Sequence, residues 1–399
     1  MQKITFVIPS RNNLEFLQLA YKSIRNLKTN HEVLVLDDAS TDGTLEWINS
    51  LNDVDLITYV NPGPERIGIV GMFDKGIEMA RTEIIFAFHA DMIAGPNLDV
   101  NILKHLKRGT VVSATRIEPP LHPPGPEKIT QAWGNEVNEI DFDAVVNSIS
   151  QIEIQNKDKT TEGIFAPWCM YKEDFLTIGG HDELFAPQSK EDSDLFNRFV
   201  LKGYEVIQSW DGLVYHFTSR GSRFNKHAGG GAGKNSEEWL YTTNKNSRNF
   251  IRKWGHFIKH DSLMKPIIPP KYNIAFVVEY CNIAALAALE PWCDRIYIAS
   301  SNGDTIHNLR TQYIMDEDAN TSYDLIKRVL TDSLNDAQGE NDIVVNIDCN
   351  TFDGDDFIYI QQLSEIIKDS GVPGATFELG NLKITIHSMT EYQNDLIHI

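Results

Sequence analysis

Two short polar clusters stand directly after apolar runs and carry groups able to do chemistry. Asp37 and Asp38 follow VLVL, and His89 and Asp91 follow EIIFAF with one alanine between them. Carboxylates accept hydrogen bonds from ligand hydroxyls, and with an imidazole they can hold a divalent cation. Farther along, Glu191 and Asp192 open KEDSDLFNRFVLKG, where a carboxylate can take a proton from a bound hydroxyl. HFTSRGSRF then sets His216 close to Arg220 and Arg223, whose planar donor forks suit phosphate. Pro9 and Arg11 lie at the end of the first apolar run, and Arg66 lies in GPERIGIVG. That glycine-bearing segment lacks the GK[ST] ending of a phosphate loop.

The elements that must position these groups alternate. ITFVIPS, HEVLVLDDAS, DLITYVNP and EIIFAFHADMI read as strands; FLQLAYKSIRNL, TDGTLEWINSL and FDKGIEMART have helical spacing. Repeated strand–helix alternation predicts a parallel sheet covered on both faces. In such sheets ligands bind at strand ends, which is where both polar clusters fall.

VIPSRN, VLDDASTDGT, RIGIVGMFDKGIEMARTEIIFAFHADM and GGHDELFAPQSKEDSDLFNR together resemble a GT-A fold glycosyltransferase of the inverting family 2 type, over roughly residues 3–220. The resemblance implies an α/β protein whose GT-A-like, mostly parallel sheet domain transfers a hexose from a nucleoside-diphosphate sugar to an acceptor hydroxyl with inversion. It places Pro9, Arg11, Asp37 and Asp38 at the nucleoside, with an Asx turn as the alternative for the two acids. Arg66, Arg220 and Arg223 fall to the diphosphate or to solvated turns. Asp91, His89 and His216 are the implied metal ligands. His89 replaces the first acid of the usual acid–x–acid element, and imidazole ligands favour Mn²⁺ over Mg²⁺. Asp192 matches the catalytic base, with Glu191 beside it to orient the pocket. Trp168 and Tyr171 are sugar-stacking or core aromatics, and Asp182 is a hydroxyl contact or a local cap.

A formal charge of −20 and a pI near 5.0 argue against binding nucleic acid or an anionic membrane. YNIAFVVEYCNIAALAALEPW is interrupted by Glu279, Asn282 and Glu290, so no transmembrane segment is expected. MQKITFVIPSRN lacks the features of a secretory leader, and the four cysteines make no CxxC pair. A cytoplasmic protein with isolated thiols is the expectation.

The proline-rich KPIIPPKYN marks a boundary. The expected organisation is a catalytic domain with a helical extension over residues 1–265, a linker over 266–272, and a C-terminal α/β accessory domain over 273–399. In that last domain YNIAFVVEYC, DRIYIASSN and DIVVNIDCN read as strands, TSYDLIKRVLTDSL and FIYIQQLSEIIKDSG as helices, and GATFELGNLKITIHS as a hairpin. The expected partners are a nucleotide-sugar donor, preferably UDP-linked, and a glycan or other hydroxyl-bearing acceptor. Two other readings stand beside this one: a nucleotide-sugar pyrophosphorylase or nucleotidyltransferase, and a non-catalytic scaffold that binds nucleotide sugars or glycans. The absence of an N-terminal glycine-rich triphosphate loop weighs against the first, and the presence of both Asp91 and Asp192 against the second.

Overall fold

The computed structural model describes residues 2–299, 303–331, 337 and 339–399. The chain forms two compact units. One comprises Met1–Thr243, Lys259–Ile267 and His398–Ile399; the other comprises Asn244–Ile258 and Ile268–Ile397. No helix among the described residues is long and apolar enough to cross a membrane.

The first unit begins with the expected alternation: β1 (Ile4–Ser10), α1 (Leu14–Arg25), β2 (Glu32–Asp37), α2 (Thr44–Ser50), β3 (Leu56–Val60), α3 (Gly68–Met79) and β4 (Ile84–Ala87). There follow β5 (Met92–Ala94), α4 (Leu98–Leu103), β6 (Thr110–Glu118), β7 (Ile129–Thr130), α5 (Phe142–Gln155), β8 (Thr160–Thr161), β9 (Trp168–Tyr171), α6 (Lys172–Thr177), α7 (Glu191–Leu201) and β10 (Glu205–His216). The main path of the sheet is β3-β2-β1-β4-β9-β6-β10-β5. Its first four strands are parallel, but β9 enters between β4 and β6 antiparallel to both. The sheet is therefore mixed, because residues 119–167 return the chain to the sheet centre before β10 is added.

The inner strands are covered on both faces: every residue of β2, β4 and β6 is buried, the polar and charged ones of β6 included. Helix α1 turns Phe16, Leu17, Ala20 and Ile24 toward the sheet, one face at helical spacing. Helix α3 lies so close that a Cβ on Gly76 would meet Val7 Cγ1 at 2.4 Å. Asp141 caps α5 by accepting from the backbone N–H groups of Asp143 and Ala144.

Helix α8 (Glu237–Trp254) passes at Asn244 into the second unit. That unit contains β11 (Ile274–Glu279), α9 (Ile283–Leu289), β12 (Arg295–Ala299), α10 (Gly303–Glu317), α11 (Leu325–Arg328), β13 (Val329–Leu330), β14 (Ile343–Asp348), α12 (Gly354–Ser370), β15 (Thr376–Leu379) and β16 (Leu382–Ile386). Its sheet runs β13-β12-β11-β14-β16-β15. The expected strands and final hairpin are present. The helix expected over TSYDLIKRVLTDSL is short: Val329 leaves it to pair with Ile296, so β-sheet pairing ends α11 after one turn. Residues 332–334 of that segment lie outside the described residues.

Glu290 is fully buried in this unit. It accepts from Arg252 Nη2 at 2.7 Å, Arg328 Nε at 2.7 Å and the Tyr313 hydroxyl at 2.8 Å. Burial alone would raise its pKa; Arg328 and Arg252 instead hold the carboxyl at about 2. Removing one member of such a network leaves the others charged and dry. Glu290→Ala should therefore destabilise the second unit by about 3–5 kcal/mol, measured by urea unfolding.

Candidate active site

Several strands deliver polar residues to one edge of the first sheet. The parallel strands β1, β2 and β4 end at Ser10, Asp37 and Ala87, so Arg11, Asp38 and the His89–Asp91 turn emerge together. They line one cleft with Pro9, Arg66, Glu191, Asp192 and His216. Helix α7 brings Glu191 and Asp192 at its first turn, after Ser189 and Lys190 take left-handed backbone conformations.

His216 reaches Asp91 through an antiparallel pairing. β5 folds back onto β10 with Met92 opposite His216, and Phe217 N–H donates to the Asp91 carbonyl at 3.0 Å. His216 Nε2 then stands 3.6 Å from Asp91 Oδ1. On its other side β6 pairs with β10 at Ile117 and Tyr215, which sets Glu118 beside His216. Glu118 Oε1 lies 2.8 Å from His216 Nδ1 and accepts from Arg116 Nη1 at 3.1 Å; its Oε2 accepts from Lys128 Nζ at 3.0 Å. Nδ1 donates to this carboxylate, and the buried Nε2 has no hydrogen-bond partner. Potential ligand atoms of His89, Asp91 and His216 all lie within 4.8 Å of one another. Two imidazoles, one carboxylate and a buried nitrogen lacking a partner fit a divalent transition metal.

The charges answer one another. Burial raises the Asp91 carboxyl, but His216 and a backbone N–H from Arg220 bring it down to about 2. Burial lowers the His216 imidazole, and Asp91 and Glu118 together lift it to about 9. With Nδ1 against Glu118 and Nε2 3.6 Å from Asp91, the imidazole lies between two carboxylates that favour a positive charge there, either a proton or a cation. Burial also lowers His89. Glu191 shifts the other way: burial and the adjacent Asp192 favour its protonated form, and its Oε2 has no partner.

Asp38 anchors the cleft wall. Its Oδ1 accepts from Asn61 Nδ2 at 2.7 Å and Ile67 N–H at 2.8 Å, and its Oδ2 accepts from Gly68 N–H at 2.8 Å. The loop carrying Arg66 is thereby fixed to the end of β2. Gly68 has φ of 89° and sits against Pro187, where a Cβ would be 2.4 Å away. Arg66 pairs with Glu238 at 2.7 Å while its Nη2 is buried without a partner. Arg11 Nη1 donates to the Asp38 carbonyl at 3.1 Å.

Asp37, Arg220 and Arg223 are not among the cleft-lining residues. Asp37 is buried and accepts from Ser40 N–H at 3.3 Å, closing the turn after β2. Arg220 contributes its backbone N–H to Asp91, while its side chain pairs with Glu136 at 3.1 Å. Arg223 donates to Asn235 Oδ1 at 2.6 Å and lies over the Trp239 ring. Trp168 packs into the core against Phe175 and Phe199, and Asp182 caps a short turn through Leu184 N–H. Sequence reasoning missed Glu118 and Arg116. The only local signal was a charged pair interrupting the apolar run TVVSATRIE, a strand that is buried throughout. Gln188, Phe165 and Trp239, which also line the cleft, carry no spacing signal.

Residues 5–172 match the family model of glycosyl transferase family 2, and residues 162–224 match that of chondroitin N-acetylgalactosaminyltransferase. Among solved structures, the chain is similar to the mannosyltransferase PcManGT from Pyrobaculum calidifontis in complex with GDP-Man and Mn²⁺ (20% identity over 54% of this chain and 56% of that one, TM-score 0.38). It is also similar to GalNAc-T7 with UDP, GalNAc and Mn²⁺ (12% identity, 64% and 51% coverage, TM-score 0.45) and to S. aureus TarS 1–349 (15% identity, 55% and 61% coverage, TM-score 0.39). The chain thus spans between 51% and 61% of the length of these proteins. The part of the first unit that carries the His89–Asp91 turn thus matches glycosyl transferase family 2, over residues 5–172.

Proposed function

We propose that the chain transfers a hexose from a nucleoside-diphosphate sugar to an acceptor hydroxyl, inverting the anomeric centre. The observation that carries this reading is the convergence of His89, Asp91 and His216 with Glu191 and Asp192 in one cleft at the carboxyl ends of the sheet. Uridine diphosphate is the proposed carrier. The match of residues 162–224 to chondroitin N-acetylgalactosaminyltransferase favours an N-acetylated hexosamine as the sugar. The acceptor is proposed to be a glycan or another hydroxyl-bearing molecule. The four free thiols suit a reducing compartment, and a cytoplasmic location is part of the same proposal.

His89, Asp91 and His216 would hold the cation, Mn²⁺ in preference to Mg²⁺ because two of the three ligands are imidazoles. Bound there, it supplies electrostatic stabilisation of the diphosphate leaving group. Arg66 offers a guanidinium nitrogen with no protein partner to the same anion. Asp38 and Arg11 shape the nucleoside end of the cleft, and Pro9 forms its floor at the end of β1. Asp192 receives the acceptor proton as the hydroxyl attacks. Glu191, held toward its neutral form, keeps the paired carboxyls from carrying two adjacent charges. A single displacement with a carboxylate base yields inversion without a covalent sugar–enzyme intermediate.

Asp91→Asn should abolish metal-dependent binding of UDP-sugars in ligand-observed NMR; unchanged binding would refute the donor site. Asp192→Asn should keep donor binding while lowering kcat for UDP release with acceptor by about 10²–10⁴-fold. Loss of donor affinity with kcat intact would instead make Asp192 a binding residue. Glu118 orients His216 and fixes its tautomer, so Glu118→Ala should weaken Mn²⁺ binding by about 10–100-fold in calorimetric titration, with Glu118→Gln less affected.

A further inference from the structure

The second unit repeats the parallel half of the first, ladder for ladder. Strand order is β3-β2-β1-β4 in one and β13-β12-β11-β14 in the other, and each series is followed by an antiparallel strand, β9 or β16. The registers coincide too. Ile4 pairs with Ile84 as Ile274 pairs with Ile343, and Thr5 pairs with Glu32 as Ala275 pairs with Arg295. One step on, Val33 meets Leu56 as Ile296 meets Val329. The antiparallel strands join at the same rung, Ile84 with Tyr171 and Ile343 with Ile386. These registers lay ITFVIPSRN over IAFVVEYCN and EIIFAFHAD over DIVVNIDCN. A shift of one residue in any ladder would break the match, because it would exchange the two faces of a strand.

This alignment shows what the second unit has at each position of the first unit's cleft. Arg11 corresponds to Cys281, Pro9 to Glu279, His89 to Asp348 and Asp91 to Asn350. By count along the strand, Asp37 and Asp38 correspond to Ser300 and Ser301, which lie outside the described residues. His216 has no counterpart among the described residues, since the hairpin β15–β16 completes the second sheet where β6 and β10 extend the first. Asp348 closes its own turn by accepting from Asn350 N–H at 2.9 Å. Cys281 and Cys349 stand at the positions of Arg11 and Ala90, and the Cys281 thiol donates to the Asn282 carbonyl at 3.4 Å. In the first unit Arg11 and Ala90 both line the open cleft.

We infer that the second unit is a copy of the donor-binding half that has lost its ligand set, so that one chain holds one metal-dependent nucleotide site. This rests on the reading of the first unit's cleft as a donor site. A nucleoside diphosphate needs cations at the strand edge; among the described residues at the matching strand ends of the copy, the charged ones are Glu279 and Asp348, which repel it. The second unit therefore does its work without a nucleotide.

Calorimetric titration of the full chain with UDP, and separately GDP, in the presence of Mn²⁺ tests this. One site per chain is expected, lost in Asp91→Asn and unchanged in Asp348→Asn. Two sites per chain would overturn the inference alone, as would a metal-dependent site that survives Asp91→Asn and disappears in Asp348→Asn. Binding of neither nucleotide by the folded wild-type chain would overturn this inference together with the donor reading.

Discussion

The pairing of β5 with the last three residues of β10 is the constraint on which the cleft depends. The reversal after Asp91 sends Met92–Ala94 back along β10, and the register of that pairing sets Asp91 next to His216 across 125 positions of chain. The same strand β10 lies parallel to β6, which delivers Glu118 to the other side of the imidazole. One strand thus aligns ligand and support by backbone hydrogen bonds, leaving the side chains little freedom. Rigid placement of this kind lowers the reorganisation needed when a charged ligand binds.

Both units bury charge in alternating layers. In the first unit the order runs Asp91, His216, Glu118, then Arg116 and Lys128. In the second, Glu290 lies between Arg252 and Arg328, with Tyr313 completing its hydrogen bonds. Desolvation of each ion is offset only because the next layer has the opposite sign and good geometry. The two networks differ in one respect. Glu290 has protein partners on both oxygens, whereas the first network leaves His216 Nε2 open toward the cleft. An internally completed network serves stability; one open at a single buried atom can receive a ligand.

The correspondence between the two sheets separates scaffold from site. Four ladders in a common register reproduce the apolar strands, yet the residues at their carboxyl ends differ in almost every charge. Loops at strand ends tolerate that divergence because they face solvent and make few packing contacts. Strand interiors do not, since each substitution there changes a packed volume. Chemistry in this chain accordingly follows the loops and the added strands β6 and β10, not the half-sheet itself.

Residue order alone determined the strand–helix alternation of the first unit, the polar clusters at strand ends, and the helix start bearing Glu191 and Asp192. These are local signals: apolar period, turn residues, and acids at a helix N-terminus are legible within a dozen positions. It also marked the strands and hairpin of the second unit. It carried no sign that β9 would enter the sheet antiparallel between β4 and β6, that Arg223 would turn to Asn235, or that Glu118 would support His216. Nor did it show that two segments 270 positions apart, beginning at Ile4 and Ile274, share one set of registers. Those outcomes belong to the tertiary structure, because register and burial are set by which strands meet, and strand partners are chosen by the packing of the whole sheet.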